Sequence, residues 1–494
     1  MDQTSIDELR NRDVPPCHHL IDGKARPASS GETMDVVSPI DGSILTTIAR
    51  GTAADMNAAI ASARAAFEDG RWKNQPPAAR KAIMLKWADL VEKHALELAV
   101  LGVRDNGTEI AMAYKAEPLS AAGTVRYYAE AIDKVYGEIA PTQQNVLGMI
   151  HHEPVGVVGA IIPWNFPLMI GAWKIGPALA TGNSLVVKPP ETASLSLIRM
   201  AELALEAGLP AGVLNIVTGE GAVVGEAMAL SMDVDVLAFT GSGATGRRLL
   251  EYSARSNLKR VYLELGGKSP HIIFADTADL DQAAKVVAAG IFRNSGQVCV
   301  AGSRLLVQQD IHDDFVAAVA KASAAMQPGD PLLLDTKIGA INSESQLKQD
   351  LAAVETAAHE GGHLVLGGKR CLEETGGFYM GPTIVDGVKA SHSLFQKEVF
   401  GPVLAVTTFA DEAEAVQLAN ATDYGLAAGV WTSNLSRAHR MVRAIAAGVV
   451  HVNTYGGADV TVPLGGVRQS GNGSDKSLHA LDKYLNLKTA WIQL

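Results

Sequence analysis

Three short runs hold side chains able to act together on an electrophilic carbon. Phe292-Arg-Asn-Ser-Gly-Gln-Val-Cys299-Val-Ala-Gly-Ser-Arg304 sets a thiol between glycines, just ahead of the apolar Leu305–Val307. A thiol on a Gly-rich loop can meet an electrophile without side-chain crowding. A free thiol is only a few per cent ionised near neutrality, so its surroundings are expected to raise the thiolate fraction. An isolated cysteine is more often a small buried hydrophobe. Two companions reverse that balance: Pro163-Trp-Asn165-Phe-Pro167 carries a side-chain amide, and Leu263-Glu264-Leu-Gly-Gly-Lys268 carries a carboxylate. Glu264 lies 35 residues before the cysteine, at the end of an expected strand and before Gly266-Gly267. An isolated Asn between prolines would otherwise read as a turn residue.

The elements that must position these groups follow from periodicity. From Val155 onward, apolar runs at Val157–Ile162, Ser184–Lys188, Val213–Val217, Val236–Phe239 and Arg260–Leu265 read as strands. Helical patterns near Leu168–Ala180, Leu195–Ala207, Ala222–Leu230 and Thr245–Ala254 alternate with them. The second of these ends at Gly208 with Pro210 beyond, a helix stop. A second series follows Asp279, with helices at Leu280–Phe292, Asp313–Ala325, Glu412–Asn420 and Arg437–Ala447. Its strands are expected at Arg304–Val307, Leu404–Phe409, Ala428–Trp431 and Val449–Val452. Such alternation predicts α/β architecture with doubly wound parallel sheets, whose buried strands should be almost wholly apolar.

The bulk numbers bound the rest. A chain of 494 residues is too long for one simple core, so two or three domains are expected. A net charge of −11 without a long basic run argues against nucleic acid or an anionic membrane as partner. Cys17, Cys299 and Cys371 have neither metal-ligand spacing nor a disulfide framework, which fits a reducing, cytoplasmic setting. Met1–Glu8 has no signal-peptide character. Val155–Trp173 is apolar, but Pro163, Asn165 and Pro167 interrupt it, so a buried strand, turn and helix is expected. His18-His19 and His151-His152 lack supporting ligands, and no metal site is expected.

With these motifs in register, together with Lys188-Pro-Pro-Glu191, Phe239-Thr-Gly-Ser242 and Glu398-Val-Phe-Gly-Pro402, the chain resembles the NAD(P)-dependent aldehyde dehydrogenase superfamily from about Leu20 to its end. Tyr127–Glu138 and Gln469–Ala480 are most similar to gamma-glutamyl-gamma-aminobutyraldehyde and related omega-aminoaldehyde dehydrogenases. The resemblance implies two doubly wound domains plus a small oligomerisation element. It assigns 20–133 and 151–268 to NAD binding, 269–476 to catalysis, and 134–150 with 477–494 to assembly as a homotetramer or homodimer.

It also implies roles. Cys299 attacks an aldehyde, the Asn165 amide and the Cys299 N–H steady the oxyanion, and Glu264 is the base that activates water on the thioester. Lys188 and Glu191 hold the adenosine ribose, and a carboxylate there repels a 2′-phosphate, so NAD is favoured while NADP stays possible. Gly241, Ser242 and Gly246 open a helix toward the pyrophosphate. Glu398 and Phe400 position the nicotinamide side, and Ile162, Trp164, Gly221, Gly225, Phe239, Thr240 and Leu265 complete the nucleotide cleft. Glu117, Trp173 and Asp459 border the substrate entrance, where carboxylates and an aromatic would suit a cationic or amide-bearing tail; acidic surface loops explain the carboxylates equally well.

Rival readings are specific. Gly241-Ser-Gly243-Ala-Thr-Gly246 matches a dinucleotide fingerprint, and Glu264 falls 18 residues later, where such a fold places a ribose-binding acid. The resemblance assigns that task to Glu191 instead. A coenzyme A-acylating enzyme should lack Glu264, and a non-catalytic protein on the same fold should lack the nucleophile or the base. A broad-specificity dehydrogenase for aliphatic or aromatic aldehydes is the remaining alternative. Asp105-Asn-Gly-Thr108 replaces the usual Asp-Thr-Gly-Lys, and Gly456-Gly457-Ala458 is altered beside Asp459; both changes are expected near the entrance.

Overall fold

The computed structural model describes residues 1–457 and 459–494; Ala458, in the altered run beside Asp459, lies outside the described residues. In the first sheet the parallel strands Leu214–Ile216, Ser184–Lys188, Val157–Ile161, Val236–Thr240 and Arg260–Glu264 lie side by side in that order. Antiparallel strands close both edges: His19–Ile21 and Lys24–Arg26 at one, Gly471–Asn472 at the other. Successive side chains alternate between the faces, as strand geometry demands. Val158 and Ala160 join a core with helices Pro77–Lys93, Ser120–Ala131, Pro167–Ala180 and Leu195–Ala207. Val157 and Ile161 join another with helices Ala53–Glu68 and Gly243–Ala254. Because both faces are covered, these strands carry apolar residues almost throughout.

The chain winds outward in both directions from Val157–Ile161, so the crevice at the carboxyl ends of Val157–Ile161 and Val236–Thr240 is the topological switch point. Ligands bind α/β sheets at such crevices. Pro163-Trp-Asn165 leaves one of these strands and Gly241-Ser242 leaves the other.

A second sheet orders His363–Leu366, Thr383–Asp386, Val403–Phe409, Arg304–Gln308, Pro270–Ile273, Ala427–Trp431 and Val449–Val452. All but the first, antiparallel strand run parallel. The segment after Glu264 leads directly into Pro270–Ile273, so the carboxyl edge of the first sheet faces the amino edge of the second. A third sheet stands apart. Leu485–Gln493 pairs along its length with Val146–Pro154, which also pairs with Glu138–Ala140. Its ordered pairing extends to Pro154, beyond the expected boundary at residue 150. Strands Pro270–Ile273 and Thr383–Asp386 and helix Glu344–His359 carry no distinct signal in the periodicity reading.

Arg304 ties the second sheet to the segment that follows Glu264 and to the end of helix Glu412–Ala419. It is 1% exposed, and its guanidinium donates to the carbonyls of Lys268, Leu418 and Ala419 at 2.7–2.8 Å while lying 4.6 Å from the Phe395 ring centre. Arg304→Met strands three buried carbonyls, a cost of about 3 kcal/mol or more. A clear fall in thermal midpoint by calorimetry is expected, and an unchanged midpoint would contradict the anchoring role.

Candidate functional site

Cys299 lies at the meeting point of two cavities. One, of about 280 Å³, is lined by Trp164, Asn165, Thr240, Gly241, Glu398 and Phe400 among others. The other, of about 230 Å³, is lined mainly by apolar and aromatic side chains, including Phe166, Met169, Ile170 and Trp173.

The loop that presents the thiol is strained and heavily pinned. Helix Leu280–Phe292 stops at Arg293, and Asn294, Ser295 and Gly296 then take φ of 49°, 52° and 73°. A Cβ on Gly296 would fall 2.1 Å from the Gly401 carbonyl oxygen, so only glycine fits. Thr108 Oγ1 donates to Asn294 Oδ1 at 2.8 Å, and the Asn294 N–H donates to Glu109 Oε1 at 3.1 Å. Ser295 Oγ donates to the Gly339 carbonyl at 2.9 Å, and Gln297 Oε1 accepts from the Asn342 N–H at 2.8 Å. The expectation for Asp105–Thr108 is therefore corrected. That run is buried beneath the cysteine loop rather than exposed at the entrance, and Thr108 helps to hold the loop.

Asn165 is 3% exposed, and its Nδ2 donates to the Gln297 carbonyl at 2.9 Å. One amide hydrogen fixes the side chain against the cysteine loop, and the second is left for another acceptor. Glu264 is buried, and its Oε1 has no hydrogen-bond partner among the described residues. Burial pushes its carboxyl well above the usual range, and the charge of Asp475 adds to that. Asp475 is itself wholly buried and accepts from Lys174 Nζ at 2.9 Å and from Lys483 Nζ. Glu264 lines neither cavity, yet its charge acts on the Cys299 sulfur.

The thiol corrects another expectation. Burial, then the charges of Glu264 and Glu398, push it up to about 12, so the resting surroundings favour thiol over thiolate. Hydrogen bonds from the N–H groups of Val300 and Cys299 act the other way without reversing the shift.

The nucleotide-side residues form two groups. Lys188 Nζ and Glu191 Oε2 pair at 2.9 Å at the carboxyl end of their strand, and Glu191 Oε1 accepts from the Gly221 N–H at 2.7 Å. Ile162 donates its N–H to the Lys188 carbonyl at 3.0 Å, and Gly225 packs near Ile161. Around the switch point, Ser242 caps helix Gly243–Ala254, accepting from the Thr245 N–H at 3.3 Å. A Cβ on Gly241 would fall 2.5 Å from the Phe239 ring, and one on Gly246 would fall 3.1 Å from Leu265. Those glycines bring the helix start tight against the strands. Thr240 Oγ1 is buried at the cavity wall without a partner among the described residues. Glu398 Oε1 accepts from the Gly267 N–H at 2.8 Å, and Phe400 meets Trp164 edge-on at 5.2 Å.

On the other side, Trp173 lines the apolar cavity, whereas Asp459 is exposed and accepts from the Thr461 N–H at 2.8 Å. The entrance role expected of Glu117 does not hold. It is 4% exposed, accepts from the Met169 N–H at 2.7 Å, and is pushed well above the usual carboxylate range by burial. Sequence reasoning passed over Gln297, Asp475, Lys174, Arg293, His451 and Lys476. Asp475 and Lys476 stand within the quoted Gln469–Ala480 run, where nothing local signals that these adjacent opposite charges are buried. Among the described residues, no group of three or more His, Cys, Asp or Glu could hold a metal ion, and no helix is long and apolar enough to cross a membrane.

A family model described as the aldehyde dehydrogenase family matches residues 26–490. The chain is 50% identical over 478 residues to the NADP/NAD-dependent aldehyde dehydrogenase PuuC of Escherichia coli, covering 96% of this chain and 95% of that one. It is 45% identical to an aminoacetaldehyde dehydrogenase of Pseudomonas aeruginosa, with coverage of 97% and 96%. A crystal structure of a gamma-glutamyl-gamma-aminobutyraldehyde dehydrogenase from Burkholderia cenocepacia superposes over 100% of both chains with a TM-score of 0.98 at 49% identity. An indole-3-acetaldehyde dehydrogenase solved with NAD+ superposes equally well, with TM-score 0.98, 49% identity and 100% of both chains covered.

The thiol's position gives a direct test. In the ligand-free protein, alkylation of Cys299 by iodoacetamide, read by peptide mass spectrometry, should climb steadily between about pH 7 and pH 10. Glu264→Gln removes a negative charge beside the sulfur and should move the profile to lower pH. A plateau near pH 8 in the native protein would contradict the raised value.

Proposed function

This chain belongs to the aldehyde dehydrogenase family, and from that premise we propose that it oxidises an aldehyde to a carboxylate with NAD as acceptor. The observation that carries this reading is Cys299 at the junction of a glycine-lined nucleotide-side cavity and an apolar cavity. The residues fit a dinucleotide. The helix start at Ser242 offers N–H groups, Thr240 Oγ1 offers an unused hydroxyl, and the Lys188–Glu191 pair stands at a strand end. Glu191 disfavours a 2′-phosphate, so NADP is the lesser acceptor. When bound, NAD supplies the hydride acceptor and positive charge near the thiol.

The protein groups then divide the work. The Cys299 thiol gives up its proton to water as its sulfur adds to the aldehyde carbon, and the oxyanion formed accepts hydrogen bonds from the second hydrogen of Asn165 Nδ2 and from the Cys299 N–H. Because Asn165 is already fixed by Gln297, little reorganisation accompanies the charge. Loss of hydride from that carbon leaves a thioester on Cys299. Glu264, held proton-hungry by burial, takes a proton from water as the water attacks the thioester carbonyl. The C–S bond breaks, the thiol is restored and the carboxylate departs.

The substrate class we propose is a nitrogen-bearing aldehyde of the omega-amino, guanidino or gamma-glutamylamino type, supported by the relatives' names and by an aromatic-lined cavity. The separate third sheet leaves Trp491 66% exposed and Leu487 69% exposed, a surface suited to assembly with further copies. The 20–133/151–268, 269–476 and 134–150/477–494 division remains the proposed domain plan.

Rapid mixing with NAD and excess aldehyde tests the division of labour through absorbance at 340 nm. Cys299→Ala should give no NADH. Glu264→Gln should give a burst close to one NADH per site and then a steady rate lowered by about a hundredfold or more. Asn165→Ala should lower kcat by about 10²–10³. A Glu264→Gln enzyme turning over at the native rate would contradict the assignment.

A further inference from the structure

The apolar cavity beside Cys299 changes character at its outer end. Its inner walls are apolar and aromatic, but Arg293, His451 and Lys476 line it beyond them, beside Gly456 and Gly457. Among the described residues that line it, none is a carboxylate.

The carboxylates close by stand behind its walls or on its rim rather than in its lining. Glu117 sits behind the wall, accepting from the Met169 N–H, and burial pushes its carboxyl well above the usual range. Glu109 is likewise buried, is directed to the Asn294 N–H, and is pushed up to about 7. Asp459 lies on the exposed rim, where its charge acts on Lys476 together with that of buried Asp475, while the charge of Arg293 acts on Glu109 behind the wall. His451 is lowered by burial first, then by Arg293 and Lys476, so it stands as a neutral donor among cations.

The backbone is shaped to put these cations there. Lys476 is 4% exposed, with its ammonium 5.7 Å from the Trp173 ring centre, and it sits at φ 64° next to Ser477 at φ 49°. Side-chain-bearing residues hold such conformations only where the surroundings over-determine them, and they gather at functional sites. Here the Ser477 N–H is clamped to the Val460 carbonyl at 2.7 Å. Gly456 has φ 77°, and a Cβ there would fall 2.9 Å from Arg293 Nη2. The altered glycine run thus makes room for the guanidinium.

We propose that the outer end of this cavity is a carboxylate subsite, so that the aldehyde reaching Cys299 carries an anionic group at its far end, received by Arg293 and Lys476 with His451 alongside. This rests on the dehydrogenase reading and narrows it. A guanidinium forks onto a carboxylate, and an ammonium adds a point charge. A distal cation would meet like charge in a cavity walled mainly by apolar groups. Among nitrogen-bearing aldehydes, the subsite selects those with a free carboxylate, as a gamma-glutamylamino aldehyde has, over simple ammonium or guanidinium ones.

The test compares three aldehydes of equal chain length: neutral, omega-carboxylated and omega-trimethylammonio. In the native enzyme kcat/KM should fall in the order carboxylated, neutral, cationic, with at least about tenfold between the ends. Lys476→Met and Arg293→Gln should each cut the carboxylated-to-neutral ratio by about tenfold or more, chiefly through KM. In a readout without turnover, glutarate should shield native Cys299 from iodoacetamide better than hexanoate does, and the variants should lose that difference. A cationic aldehyde used as well as the carboxylated one, or ratios unchanged in both variants, would overturn the subsite. Should no aldehyde be oxidised, the dehydrogenase reading fails, and glutarate protection still decides the subsite by itself.

Discussion

The Cys299 sulfur depends on a stretch of backbone that would not hold its shape alone. Asn294 and Ser295 occupy the left-handed region in succession before Gly296, a conformation costing about 1–3 kcal/mol for each side-chain-bearing residue. Contacts from far along the chain hold it: Thr108 and Glu109 from well upstream, Gly339 and Asn342 from downstream. The same loop supplies the Gln297 carbonyl that fixes Asn165. The proposed nucleophile and oxyanion donor are therefore positioned by one strained segment. Segments on both sides of the loop in sequence thus share in placing the two groups.

Around that loop, glycines set distance and burial sets charge. Gly266 could not carry a side chain, because a Cβ would fall 1.9 Å from Glu398 Oε2, and Gly267 lies against the Cys299 carbonyl. The two sheet edges can thus close to within backbone contact. Taking acids this far from water favours their neutral forms. Glu264, Glu117 and Glu109 are all raised, whereas Asp475, despite complete burial, is held low by Lys174 and Lys483. A proton acceptor is thereby kept beside a thiol that is itself reluctant to ionise.

Much of this was legible in the sequence where the signal is local. Buried parallel strands are apolar whatever surrounds them, so Val157–Ile161 and Ser184–Lys188 stand out, as do the Gly and Pro residues that end helices. The runs around Cys299, Asn165 and Glu264 were readable because unusual residue types are concentrated there. What was hidden depends on pairing between distant segments. Nothing in Asp105–Thr108 announces that Thr108 will meet Asn294, and nothing local distinguishes Glu117 from a surface acid. Lys476 reads as a solvated charge until Trp173 and the Val460 segment close over it. Thr383–Asp386 is too short to declare itself without its neighbours.

The central claim is that a carbon–sulfur bond to Cys299 carries the reaction. The most direct measurement is peptide mass spectrometry on enzyme mixed with NAD and aldehyde and quenched in acid within one turnover. The account predicts the mass of the substrate's acyl group on the peptide holding Cys299, with Cys17 and Cys371 unmodified. NADH formed at the native rate with no acyl group on Cys299 at any quench time, or an acyl group on another residue, would contradict it.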